Sequence, residues 1–313
     1  SGSIDYNRTG LQIITFAHKL LQLIPSGGTV GTAETTDGLE SLNLMVKSWG
    51  AMGVNLWKKR ESTLFITPST SSYAIGTANA TDSYVETTLA TQEAIGQTVI
   101  GVTSSKGMYV SDVVLIVQDD DTFHESTIAS VDSSTQITIN DATTVAAAAG
   151  NKVYTYTTKT NRPLRVLQAR RFNSSVDVPL IQMSREEYFN QPSKGKEAPP
   201  VQWYYDPQLG TSNRLYLWPT PNTVNDLIKF TYQETIEDFD TSGDDPDYPS
   251  EWLEALGYNL AVRIAPQYGK QVPPEVIALA GQLFDEIRDW DKDEASIFFS
   301  GSNAGSGAGG GRW

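Results

Sequence analysis

Helical periodicity in this chain is confined to its two ends, and strand-like patterning fills the stretch between them. That order restricts the architecture more than any other feature, because helices and strands bury apolar residues with different repeats and pack in separate layers. Residues 9–24 place Ile13, Phe16, Leu20, Leu23 and Ile24 at helical spacing, with Gln12, Lys19 and Gln22 polar, and Pro25-Ser26-Gly27-Gly28 ends the run. A second helix is expected over about 34–51. Thr32 and Thr35 are candidate N-caps, Leu39, Leu42, Met45, Val46 and Trp49 line one face, and Gly53 is a plausible stop. Near the other end, helices are expected from about 250 to 265, with Ser250 as N-cap and Pro266 terminating, and from 273 to about 294 on the apolar set Val276, Leu279, Leu283, Ile287 and Trp290.

Between them the chain reads as β. Short strands are expected at 63–67 and 72–75, then at 164–169, 179–183, 201–205, 214–218 and 227–233, divided by Pro-rich bends. Residues 77–160 change character, being rich in Thr, Ser, Val and Ala. β-Branched runs at 98–102, 113–117, 122–130, 136–139 and 153–157 are separated by polar turns, the pattern of a small all-β sandwich or barrel. The expected class is α+β: a helical bundle of N- and C-terminal helices, a β-rich part and an inserted all-β domain. Residues 1–76 and 161–295 would form the core, 77–160 the insert and 296–313 a flexible tail. Residues 300–311 are nearly all Gly, Ser and Ala and cannot bury enough surface to fold alone.

Charge narrows the function classes. The net charge is −14, whereas a freely diffusing nucleic-acid binder is normally basic. Residues 77–160 alone hold ten acidic and three basic residues. Such a wall around a DNA conduit would limit sticking, and solubility is the simpler reading. Cysteine is absent, which removes disulfides and thiolate chemistry. No apolar run approaches the ~20 residues of a membrane-spanning helix.

Chemistry is hard to locate. His18 lies on the first helix among apolar neighbours and reads as a packed core residue. His124 stands beside Glu125 after Asp119-Asp120-Asp121, where a metal site competes with a solvated hairpin turn. Gly27-Gly28 and Gly31 follow a helix rather than a strand and lack the lysine of a phosphate loop, so they read as an interhelical turn. Acids are plentiful, yet nothing selects a catalytic pair. No catalytic residue, metal or cofactor is expected. Two basic clusters stand out, Lys58, Lys59 and Arg60, and Arg162, Arg165, Arg170 and Arg171. Either faces DNA phosphates or an acidic neighbouring subunit.

The helical segments carry a resemblance. The run Asp37-Gly38-Leu39-Glu40-Ser41-Leu42-Asn43-Leu44-Met45-Val46-Lys47-Ser48-Trp49 resembles the D-A-L-x-x-L-N-x-M-L-x-x-W stretch of podovirus head-to-tail adaptors, also called tail accessory or head-completion factors. Trp252, Ala255-Leu256, Asn259-Leu260-Ala261, Ile264-Ala265-Pro266 and Tyr268-Gly269 resemble a second motif of that family. Tyr73, Ile75-Gly76, Arg162-Pro163 and Trp218-Pro219-Thr220-Pro221 match shorter ones in family order. Gly38 stands where the family has Ala, and residues 77–160 intervene where it passes on within a few residues.

The resemblance implies a non-enzymatic virion protein of the phage neck, assembled in the host cytoplasm as a homo-oligomeric, dodecameric ring. That ring docks under the portal, retains packaged DNA without sequence specificity and carries the tail nozzle or fibres. It implies a C-terminal segment that reaches the portal, for which Phe298, Phe299, Arg312 and Trp313 are the candidate anchors, since Trp and Arg dominate binding hot spots. A cell-wall hydrolase, or a β-rich receptor or carbohydrate-binding module in 77–160, is the alternative.

Overall fold

In the computed structural model, which describes residue 2, residues 6–52 and residues 56–290, the first helix starts where Thr9 and Gln12 cap each other. Thr9 Oγ1 accepts from Gln12 N, and Gln12 Oε1 accepts from Thr9 N at 3.1 Å. The α-helices among the described residues are α1 (Gly10–Leu20), α2 (Thr32–Ala51), α3 (Arg185–Phe189), α4 (Leu253–Ile264) and α5 (Pro274–Trp290). The chain is mixed α+β and divides into two compact units. One is drawn from Ser1–Met45, Met52–Leu56 and Phe239–Trp313, the other from Val46–Ala51 and Trp57–Asp238.

Helix boundaries differ from expectation for local reasons. Helix α1 stops at Leu20 rather than 24 because Gln22 turns left-handed, at φ 54°, and Leu23 N donates to His18 O. Helix α2 begins at Thr32, so Thr32 is helical rather than the cap. Gly31 O accepts from both Thr35 N (3.0 Å) and Thr35 Oγ1 (2.7 Å). Ser250 does not cap α4 either: a 3₁₀ turn, Ser250–Trp252, intervenes and buries Trp252 completely. The expected stop at Gly53, and the stretch of the last helix beyond 290, lie outside the described residues.

In the first unit α1 packs on two glycines. A Cβ at Gly38 would meet Ile14 Cγ2 at 2.6 Å, and one at Gly257 would meet Phe16 Cδ1 at 2.3 Å. Phe16 also meets Tyr258 edge-on, with centroids 5.6 Å apart. Asn259 Nδ2 donates to Ala255 O and to Ala280 O at 3.0 Å, tying α4 to α5. The departure at Gly38 is therefore explained by close approach of α1. Ala normally gains about 1 kcal/mol over Gly inside a helix, but overpacking here costs about 1–3. Gly38→Ala is expected to lower the urea midpoint instead of raising it.

The second unit is built from three sheets. The five-stranded sheet has the order Val176–Pro179, Arg165–Asn173, Leu227–Gln233, Lys59–Phe65, Ala80–Thr81 and is antiparallel throughout. The four-stranded sheet runs Ile181–Gln182, Gln202–Asp206, Arg214–Trp218, Ser72–Tyr73. Leu64, Ile228, Phe230 and Tyr232 of the first share a core with Trp203, Tyr205, Leu215 and Leu217 of the second.

The third sheet orders Val85–Thr88, Lys152–Tyr156, Val113–Val117, Phe123–Ser133, Gln136–Ile139 and Val99–Gly101. Its outer strands are joined by a Leu89–Val102 bridge and by bonds from Ala90 N to Gly101 O and Thr103 N to Thr88 O. The sheet thus curls until its edges meet, around Ile100, Val114, Ile116, Ile128, Ile137 and Val153. No helix among the described residues is long and apolar enough to cross a membrane.

Candidate assembly surface

Phe65 ends a strand of the five-stranded sheet and is almost wholly buried. Alternation along that strand turns it away from Leu64 and the shared core, toward the curled sheet. There it meets Tyr154 at 4.9 Å, Tyr84 at 5.5 Å, Tyr156 at 5.9 Å and Phe123 at 6.3 Å. Leu115, Val117, Val224 and Leu227 complete this second core. Polar bonds border it: Tyr156 Oη to Asn79 Oδ1, Asn79 Nδ2 to Glu125 Oε2, and the Lys159–Glu125 ion pair at 3.3 Å. Residues 77–160 therefore share an aromatic core with the strands that precede and follow them in sequence.

That core raises the phenol pKa values. Tyr154 is raised by burial and then by Glu86, and Tyr156 by burial and then by Glu125. Tyr73 and Tyr205 are each pushed up by burial to about 12. A folded pKa above the unfolded value of about 10 adds stability that is complete below pH ~10 and is lost as pH rises through the folded value. The urea midpoint is thus expected to fall between about pH 10 and 12. Tyr154 Oη finds no hydrogen-bond partner among the described residues, so Tyr154→Phe should cost nothing at pH 7 and lessen that alkaline loss.

The predicted basic residues fall into different environments. Lys58 is buried and lies 3.6 Å from Glu234, which also takes Arg60 Nε at 3.0 Å. Arg170 pairs with Glu61 and with Asp177. Arg171 Nη1 reaches Asp226 at 3.2 Å, and that carboxylate also accepts from Asn173 Nδ2 at 2.5 Å. Arg165 is exposed, and its Nε donates to Gln233 Oε1 at 2.5 Å. Lys59 and Arg162 are half-buried. Sequence reasoning missed Glu61, Asp82, Asp226 and Glu234, whose partners are distant along the chain. Asp82 accepts from Tyr232 Oη at 3.0 Å and from Thr160 Oγ1 at 3.0 Å.

The family-motif residues have packing and clamping roles. Leu42, Met45, Trp49 and Leu260 are buried, and Asp37 is exposed. Asn43 holds Phe239 by both main-chain groups, at 2.9 and 3.0 Å. Pro266 sits in the first turn of a 3₁₀ segment, and Gly269 closes it at φ 61°. His18 is buried. Its Nδ1 donates to Ile14 O at 2.9 Å, and its Nε2 lies 3.2 Å from Tyr268 Oη.

His124 is not in a solvated turn. It is buried in the strand Phe123–Ser133, and its Nε2 donates to Asp141 O at 2.9 Å. Among the described residues no cluster of His, Asp and Glu is arranged to hold a metal. A groove of about 440 Å³ on the helical unit is lined by residues such as Tyr6, Arg8, Leu11 and Phe16. The anchor candidates Phe298, Phe299, Arg312 and Trp313 lie outside the described residues.

A family model described as SU10 adaptor protein matches residues 132–297, just over half of the chain. No curated protein matches it. Among solved structures, VP17, a capsid protein of bacteriophage P23-77, is similar at 13% identity over 60% of this chain and 78% of that one, with a TM-score of 0.12. The complex of the two major capsid proteins VP16 and VP17 of the same bacteriophage is similar at 12% identity over 59% and 80%, again with a TM-score of 0.12. Superpositions that poor carry no argument about this chain.

Proposed function

Because this chain belongs to the SU10 adaptor protein family, we propose that it is one subunit of a head-to-tail adaptor ring that docks beneath a phage portal. It is a structural protein of a bacteriophage virion. In this reading about twelve copies close the DNA-filled head at the neck after assembly in the host cytoplasm. DNA passes without sequence recognition, and the ring carries the nozzle or fibres. The protein works without catalysis or cofactor. Helices α1, α2, α4 and α5 form its bundle, and residues 77–160 are an inserted domain on a core of 1–76 and 161–295.

The family match carries the proposal. The motif residues support it, because Asn259 ties α4 to α5 and Asn43 clamps the main chain at Phe239, which are packing roles. A cyclic ring needs two different faces of one subunit to complement each other. Negative-stain imaging with and without purified portal tests the reading. Annuli of about twelve subunits on the portal are expected, and a chain that stays a lone particle beside its portal would overturn it.

Residues 296–313 serve in this reading as a tether with Phe298, Phe299, Arg312 and Trp313 as anchor. A chain ending at Ile297 is expected to keep its melting curve while its affinity for portal rings falls at least ~10-fold, the loss of one good anchor residue. Unchanged binding in a pull-down with portal rings would remove the tether role.

A further inference from the structure

The five-stranded sheet has one face in the shared core and another that is only partly covered. Residues directly opposite one another in a sheet stand on the same face. Across the three central strands the register gives the rows Arg165–Gln233–Lys59, Gln168–Thr231–Glu61, Arg170–Lys229–Thr63 and Phe172–Leu227–Phe65. The last row is the floor of the aromatic core. On the other rows Arg165, Gln168 and Glu61 are exposed, Lys59, Arg170, Lys229 and Thr231 are half-buried, and Gln233 and Thr63 are buried.

Positive charge exceeds negative on this face. Arg170 is balanced by Glu61 and Asp177. Arg165 has only a neutral amide partner, Gln233 Oε1, and Lys229 Nζ sits 3.7 Å from the centre of the Phe172 ring. Neither has a carboxylate within ion-pair distance among the described residues.

Residues 77–160 show the opposite imbalance. Two of their three bases, Lys152 and Lys159, are already paired with Glu86 and Glu125. Asp119 and Asp120 are exposed at one turn and accept only neutral donors, from Ala148 and Asn151 and from Thr122.

We propose that the cationic sheet face around Arg165 and Lys229 receives the acidic curled sheet of a second copy of this chain, with the Asp119–Asp120 turn at the contact. This rests on the ring reading above and names its heterologous contact: one copy offers the sheet face and the next offers the acidic turn. A nucleic acid is the weaker occupant, because its phosphates would be repelled by a chain of net charge −14. Complementary charge sets register and partner choice, and it is screened by salt.

Charge reversal tests the proposal on portal-bound rings. Arg165→Glu with Lys229→Glu, and separately Asp119→Lys with Asp120→Lys, should each cut ring occupancy at least ~10-fold while far-UV circular dichroism stays unchanged. If the first variant fails to fold, Arg165→Gln with Lys229→Gln replaces it. All four reversals in one chain should restore rings. Neither half-reversed protein can pair with itself, but in a mixture the anionic face of the first meets the cationic turn of the second and the native face of the second meets the native turn of the first, so mixed, alternating oligomers should return in native mass spectrometry. Wild-type-like rings from the Arg165/Lys229 variant would overturn the proposal, as would no rescue in the fourfold variant. Loss of DNA retention in filter binding with rings intact would assign the face to phosphate instead. If wild type makes no rings at all, the adaptor reading fails on its own, and absence of any mixed oligomer in the mixture then overturns this contact as well.

Discussion

Asp226→Ala is expected to destabilise the β unit by about 3–5 kcal/mol, among the largest losses available from one side chain. The carboxylate is 1% exposed. It accepts from Arg171 Nη1 and Asn173 Nδ2, so it fastens the end of the strand Arg165–Asn173 to the turn that precedes Leu227–Gln233. Removing it leaves a largely buried guanidinium without its counter-charge, and Arg171 Nε already lacks a partner among the described residues. That uncompensated charge, not the lost attraction, is the main cost. Arg171→Met in the same chain should recover most of the loss, because both charges are then gone together. Urea melts of the two single variants and the double variant measure the coupling. A loss under ~1 kcal/mol for Asp226→Ala, the size of a surface pair, would show that water reaches the site.

The neighbouring hairpin shows what the sequence could not display. Its turn places Ser174 and Ser175 both at positive φ, 47° and 71°, where Asn-Gly would have announced a two-residue hairpin. Without that signal the strand Val176–Pro179 was not expected. Ala80–Thr81 and Val85–Thr88 were invisible for another reason: they are short and polar, and pairing with Thr63 and Leu64 and with 152–155 makes them strands. Longer elements were legible because their period is local. The runs at 113–117, 136–139, 214–218 and 227–233 read correctly, as did the existence of α1, α2, α4 and α5.

The candidate surface divides in the same way. Arg165, Arg170 and Arg171 are close in sequence, but the strand turns Arg171 to the opposite face from Arg170, and which of them are neutralised depends on Glu61, Asp177 and Asp226. Two of those three acids belong to other strands or turns far along the chain. For His124 the preceding acids point to solvent. Along its strand, however, 124, 126 and 128 are buried while 125 and 129 are exposed, so the period-2 pattern outweighed the neighbouring charge.

Phe65→Ala should cost about 3–5 kcal/mol, and its consequences decide how independent residues 77–160 are. The ring touches four other aromatic rings, and edge-to-face contacts add to the area it buries. The residue itself lies in sequence before the segment, whereas Tyr84, Phe123, Tyr154 and Tyr156 lie within it. If the curled sheet is an insert that folds by itself around Ile100, Val114 and Ile137, Phe65→Ala will loosen the attachment and leave two melting steps. If the aromatic core makes one cooperative body of the unit, a single transition will move to lower urea. The shared burial of Phe65, Leu115, Leu227 and Tyr154 favours the single transition. For the same reason, excising 77–160 would bare Phe65, Val224 and Leu227, an apolar patch that invites aggregation. A soluble deletion variant is therefore expected only when Phe65 and Leu227 are also made polar. Differential hydrogen exchange across Phe65, with protection of 113–117 and 227–233 lost at the same urea concentration, would establish the single body. Loss at two concentrations would restore the independent insert.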